Sequence, residues 1–209
     1  MAKGAAHIPL HLRSREDGEL VRRARAGESD AFAALVRAYY PVAYDLAHKL
    51  LGDGCDAEEV AQDAFVKIHR ALDGFRGEAS VKTWILRIVM RLSLNRRRDR
   101  ARSAWRRLGL HRRDDADAQG KAAAQVAGVT GHGQTPETHY MARETRRLVL
   151  ALVDDLPEPL RQALILSSFE DLSYEQIARV LAVPVGTVSS RIYSARRKLL
   201  TALEERGLL

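Results

Sequence analysis

Between Val185 and Leu203, side chains suited to binding nucleic acid recur at helical spacing. On a helical wheel, Val188, Ile192, Ala195, Leu199 and Leu203 form one apolar stripe. The opposite face carries Ser190, Tyr193, Ser194 and Arg197, flanked by Ser189 and Arg196 on one side and by Arg191 and Lys198 on the other. Hydroxyls and a tyrosine can hydrogen-bond base edges, while flanking cations hold phosphates, so the chemistry implied is the reading of a duplex groove. The bland alternative is the solvated face of an amphipathic helix. Earlier in the chain, Thr83, Arg87, Arg91, Asn95 and Arg98 share another helix face at spacings of four, four, four and three. A row rich in arginine suits a sugar-phosphate backbone. Catalytic patterns are not evident: no Ser/His/Asp order, glycine-rich phosphate loop or paired catalytic carboxylates stand out. His7 and His11 are separated by Pro9, which disfavours a helical metal pair, so neither a metal nor a cofactor is expected.

The elements that must position these residues can be read from the same periodicity. Ser173, with Gln176 three residues later, has the pattern of a capping box opening a short helix with Ile177, Ala178 and Leu181 on its apolar face. The segment "AVPVG" at 182–186 supplies a turn, with Pro184 ending one helix and Gly186 permitting close packing or an unusual backbone angle. A short helix, a turn and a longer helix make a DNA-binding helix-turn-helix. Upstream, Phe32, Leu35, Val36 and Tyr39 form a stripe that continues through Leu46 and Leu50, and Pro41 is expected to kink or restart that helix. After "GDG" at 52–54, Asp56 is the expected N-cap of a helix with a core stripe of Val60, Phe65, Ile68 and Leu72 and an opposite face of Asp56, Glu59 and Asp63. "GFRGEAS" at 74–80 interrupts the pattern. A long helix then starts near Ser80, with Ile85, Ile88, Val89 and Leu92 as its buried stripe and Trp84 beside them.

These elements imply an all-α protein: two small helical domains joined by a flexible linker, the second with the helix-turn-helix. The expected boundaries are a tail over 1–16, a first domain over 17–102, a linker over 103–135 rich in Ala, Gly, Asp and Gln, and a second domain over 136–209. The 209 residues carry 34 Lys plus Arg against 27 Asp plus Glu, a formal charge of +7, which points to an anionic partner, with a merely solvated basic surface as the alternative. No secretory signal or apolar run of spanning length is seen, so a cytoplasmic protein without membrane insertion is expected. Cys55 is the only cysteine and excludes an intrachain disulfide.

The stretch "LPEPLRQALILSSFEDLSYEQIARVLAVPVGTVSSRIYSARRKL" closely resembles region 4 of extracytoplasmic-function (ECF) sigma factors, a branch of the sigma-70 family. Its marks are Leu156-Pro157, Arg161, Leu172-Ser173-Tyr174, Ile177-Ala178, Pro184, Gly186-Thr187-Val188, Ser190-Arg191 and Ala195-Arg196. Region 4 alone is shared in part with response-regulator DNA-binding domains. "DAEEVAQDAFVKIHRAL" at 56–72 resembles region 2.2, and "FRGEASVKTWILRIVMRLSLNRRR" at 75–98 resembles regions 2.3 and 2.4, in order and at the expected separation.

The resemblance implies a non-enzymatic initiation factor. It would bind core RNA polymerase through the largest-subunit clamp coiled coil and the flap region, recognise −35 and −10 promoter elements, and promote melting. The −35 contacts would fall on Thr187, Ser189, Ser190, Arg191, Tyr193, Ser194, Arg196 and Arg197. The acidic and polar face of Asp56, Glu59, Gln62 and Asp63 would meet the basic clamp coiled coil; without the resemblance it would read as a solvated face. A flipped non-template base of the −10 element would sit in the loop of Phe75, Arg76, Gly77, Glu78, Ala79 and Ser80, followed by the track of Thr83, Arg87, Arg91, Asn95 and Arg98. Trp84 is read as a core residue, with base stacking the alternative. Arg91 and Asn95 stand where the family often has Asn and Asp, and Ser189 and Ser194 stand where it commonly has basic residues, so base preferences do not carry over from better-known members. An anti-sigma factor is a further implied partner, as is a linker path through the polymerase. A stand-alone helix-turn-helix regulator leaves the first block unexplained, and such regulators usually dimerise; no dimerisation heptad is evident here, so a monomer is expected when free. A helical adaptor leaves the basic recognition face unexplained.

Overall fold

The computed structural model describes residues 10–107, 148–169 and 172–207. All regular structure among these residues is helical: α1 (Leu10–Arg25), α2 (Ser29–Leu51), α3 (Gly54–Ala71) with a 3-10 turn at Leu72–Gly74, α4 (Val81–Arg107), α5 (148–154), α6 (Glu158–Ser167), α7 (Tyr174–Leu181) and α8 (Val185–Glu204). Helix α1 begins inside the span read as a tail, and α4 runs past the expected boundary at 102. Most of the span read as linker, 108–135, lies outside the described residues, as does 136–147.

Helices α1 to α4 form the first bundle, with α2, α3 and α4 each packed on the other two. Its core holds Leu35, Leu46, Ile68, Ile85, Leu86 and Val89, each essentially sealed from solvent. Fully burying such a side chain stabilises by about 1.5–3 kcal/mol before conformational entropy is charged. Helix α2 runs unbroken through Pro41, which is therefore neither a stop nor a restart. Proline lacks an N–H to continue the ladder, but Ala43, Leu46, Ala47 and Leu50 beyond it remain in the core, and their burial outweighs the lost bond. Gly52, in the left-handed conformation at φ 68°, closes α2, and its N–H bonds the His48 carbonyl.

The N-cap of α3 is Asp53, not Asp56: extended at φ −129°, it accepts a hydrogen bond from the Asp56 N–H at 2.9 Å. Asp56 already lies in the first helical turn. In α4 the inward stripe is rotated from the one expected. Leu86 and Met90 are buried with Ile85 and Val89, whereas Ile88 and Leu92 are only half-buried.

The second bundle is α5 to α8, with α6 packed on both α7 and α8. The capping box of α7 is present in both directions: Ser173 Oγ accepts from the Gln176 N–H at 3.3 Å, and the Ser173 N–H donates to Gln176 Oε1 at 2.9 Å. The left-handed residue of the turn is Ala182, at φ 54°, rather than Gly186, which is helical and has open space where a Cβ would be. Val188, Ile192 and Ala195 bury the inner face of α8. Arg161 is buried on α6, where it donates to the Asp154 carbonyl at 2.9 Å and pairs with Glu158. Burial pushes its guanidinium pKa down, and the Glu158 charge opposes that shift.

Candidate nucleic-acid and polymerase interfaces

Helix α8 turns the hydroxyl-and-arginine face expected to read DNA outward. Ser189, Ser190, Tyr193, Arg196 and Arg197 are exposed, Tyr193 by 67 %, and Thr187, Arg191 and Ser194 are half-buried along the flanks. Ser190 Oγ donates to the Thr187 carbonyl at 3.0 Å, which leaves its lone pairs outward. The arrangement offers neutral hydroxyls at the centre and arginines around them.

The 74–80 loop is held at both ends. On entry, the Phe75 ring lies against Trp84 with centroids 5.0 Å apart, and Trp84 packs half-buried on the core. On exit, Ser80 caps α4: its Oγ accepts from the Thr83 N–H at 3.1 Å and lies 2.8 Å from Thr83 Oγ1. Between these anchors Arg76, Gly77 and Glu78 are exposed and Ala79 is half-buried. Gly77 has φ 73°, a left-handed conformation that side chains rarely adopt. Arg87, Arg91, Asn95 and Arg98 follow as an exposed row on α4. Thr83 does not belong to that exposed row. It is 1 % exposed, turned inward by its bonds to Ser80.

The α3 face is less acidic in place than in sequence. Asp56 is half-buried and meets Arg96 at 2.7 Å and Arg100 at 2.6 Å, and Glu59 also pairs with Arg96. Gln62 and Asp63 are exposed. Beside them lies a shallow groove of about 410 Å³, lined by Phe32, Val36, Tyr40, Gln62, Phe65, Val66, His69 and Arg70, with Val66 49 % exposed. Sequence periodicity places Phe32 and Val36 in a core stripe; their half-burial at this groove follows from their position at the stripe's edge.

The two bundles touch, α4 against α7 and α2 against α6. Arg87 Nε donates to the Arg179 carbonyl at 2.9 Å, and its Nη2 reaches the same oxygen. Arg179 in turn reaches the Glu78 carbonyl at 3.5 Å. Helix α7 therefore covers part of the loop and the start of the arginine row. Arg97 lies 3.4 Å from Asp154 and 3.7 Å from Glu158, and Lys49 sits 4.2 Å from the centre of the Phe169 ring. Pairings this distant in sequence carry no local signal. Among the described residues no helix is long and apolar enough to cross a membrane.

Two family models match, "Sigma-70 region 2" over residues 35–103 and "Sigma-70, region 4" over 146–199. The RNA polymerase sigma-H factor of Pseudomonas aeruginosa is 36% identical over 195 residues, covering 92% of this chain and 96% of the relative. The chain belongs to the extracytoplasmic-function sigma-factor family. The ECF RNA polymerase sigma-E factor of Escherichia coli is 34% identical to this sigma factor over 183 residues, 88% of this chain and 92% of the relative. Its fold is that of the sigma factor RpoE in the solved complex with the anti-sigma factor NepR from Bartonella quintana, with a TM-score of 0.61, 21% identity, and coverage of 83% of this chain and 96% of that one.

Proposed function

We propose that this sigma factor binds core RNA polymerase, reads a −35 element with α8, captures an unpaired base of the −10 element in the 75–80 loop, and so promotes melting. It does so by binding alone, in the cytoplasm, where polymerase and promoter meet. The observation that carries this reading is the pairing, in one chain, of an outward hydroxyl-and-arginine face on a helix-turn-helix with a doubly anchored loop that leads into an arginine row. Duplex reading and single-strand capture need different surfaces, and these two features are suited to one each. For the clamp contact, Gln62, Asp63 and the adjoining apolar groove are better placed than Asp56 and Glu59, whose charges are already met by Arg96 and Arg100.

In the arrangement described, Arg87 and the Glu78 carbonyl are engaged by α7. Promoter binding therefore requires α7 to leave the −10 surface. The solved relative bound to an anti-sigma factor supports a partner of that kind here. The test is transcription by purified core polymerase on a promoter library, with and without this protein. Promoter-specific start sites that depend on the protein are expected, and their absence would overturn the reading.

A further inference from the structure

Arg25, the last residue of α1, is far in sequence from the −10 loop but joined to it in space. Its Nε donates to the Leu72 carbonyl at 2.8 Å, its Nη2 to the Asp73 carbonyl at 2.9 Å, and its Nη2 also to the Phe75 carbonyl. These carbonyls belong to the 3-10 turn that ends α3 and to the first residue of the loop. The Leu72 carbonyl also accepts the Phe75 N–H at 3.1 Å, but carbonyls at a helix C-terminus generally lack helical partners and carry the negative end of the helix dipole. A guanidinium suits them because its planar fork can hold several acceptors at once, where an ammonium is a point charge. The neighbouring Arg22 and Arg23 are turned elsewhere, to Glu19 and Glu28. Phe75 is thus fixed three ways, by its N–H on the Leu72 carbonyl, by its carbonyl on Arg25 and by its ring on Trp84. The exposed segment Arg76, Gly77 and Glu78, read above as the rim of the −10 pocket, begins one residue later.

We infer that Arg25 is a positioning residue for base capture: it touches no DNA itself but sets where the capture loop starts. The inference rests on the reading of the 75–80 loop as the −10 pocket. A rim that drifts cannot keep the stacking and hydrogen bonds that offset unstacking of the captured base.

The experiment uses the full chain assembled with core polymerase and single-stranded −10 oligonucleotides, taken from a promoter found by start-site mapping, either intact or abasic at each position in turn. The wild type is expected to bind the intact strand about tenfold more tightly than the strand abasic at the captured position, the size of one base-stacking contact. Arg25→Gln is expected to bring that ratio close to one, while core-polymerase affinity and duplex −35 binding stay at wild-type level. Arg25→Lys keeps a cation at the helix end and secures the fold should the glutamine variant lose it. Loss of discrimination by Arg25→Lys supports the assignment, and full retention overturns it. An unchanged ratio in Arg25→Gln, or an equal loss of polymerase and −35 binding, also overturns it. A chain with residues 76–79 replaced by Gly and Ser separates the two levels. If it too keeps discrimination, the pocket reading itself fails; if it loses discrimination while Arg25→Gln keeps it, only the role of Arg25 fails.

Discussion

Asp53 shows how one side chain sets the start of an element that other surfaces depend on. By accepting the Asp56 N–H it fixes the first turn of α3, from which Asp56 reaches Arg96 and Arg100 on α4. Replacing an N-cap aspartate with alanine costs about 1 kcal/mol, so Asp53→Ala should lower stability by that amount and Asp53→Asn by much less, as read by urea denaturation at neutral pH. The same bond gives a pH signature. The Asp56 N–H holds the Asp53 carboxyl below the ordinary carboxylate range, against a smaller opposing effect of burial. A folded-state pKa below the unfolded one contributes stability that is present above the unfolded value and is lost as the pH falls through the folded one. The stability of the wild type relative to Asp53→Asn should therefore decline in acid. A difference that does not change with pH would show that the charge of Asp53 plays no part in the cap.

At the scale of elements, the proposed −35 contact divides α8 into residues that would read bases and residues that would hold phosphates. Tyr193 sits at the centre of the exposed face and Arg196 on its flank. Tyr193→Ala should change which bases are preferred in the −35 element. Arg196→Ala should weaken binding evenly across sequences and reduce the slope of log affinity against log salt by about one. Both are measured on a duplex library at several salt concentrations; an even loss from Tyr193→Ala would remove it from the reading set. Elements defined by local chemistry were legible in the sequence: the capping box of Ser173 and Gln176, the stripe of Val188, Ile192 and Ala195, and the stripe of Val60, Phe65 and Ile68. Choices settled by backbone angle or by packing were not. Asp53 and Asp56 are the same residue type three positions apart, and only the extended backbone at 53 decides the cap. Glycine is the residue expected in the left-handed region, yet the turn places Ala182 there. Thr83 has the spacing of the arginine row, but a hydroxyl three residues from Ser80 finds a local partner and turns inward. Arg25, Arg87 and Arg96 find partners across tens of residues, which no periodicity reveals.

At the scale of the whole molecule, the contact between the bundles has two kinds of component. One is apolar: Phe169 on the second bundle is buried, with α6 packed on α2. The other is electrostatic: Arg97 faces Asp154 and Glu158, and Lys49 lies over Phe169 while reaching Ser168 Oγ at 3.4 Å. Arg97, Asp154 and Glu158 are all part-exposed, and such pairs contribute about 0–1 kcal/mol each and weaken with salt, while an exposed cation over an aromatic ring contributes about 0.5–1 kcal/mol. Together these three contacts contribute about 0.5–3 kcal/mol, a factor of about two to 150 in the balance between closed and open arrangements, with the Arg87 bond to the Arg179 carbonyl in addition. Lys49→Glu combined with Arg97→Glu removes those terms, and the carboxylate at 97 faces the like charges of Asp154 and Glu158, without altering the arginine row on α4 or the face of α8. The double variant should show a larger radius of gyration in small-angle scattering at moderate salt. The wild type should move toward the same value as salt is raised, because screening acts on the ionic share and leaves the apolar share in place. A radius of gyration unchanged by either treatment would mean that apolar packing, with the Arg87 and Arg179 hydrogen bonds that the variant leaves in place, holds the bundles together. On the proposed function, polymerase would then have to break that packing and those hydrogen bonds, not merely outcompete a few charges, before the proposed −10 surface could meet DNA.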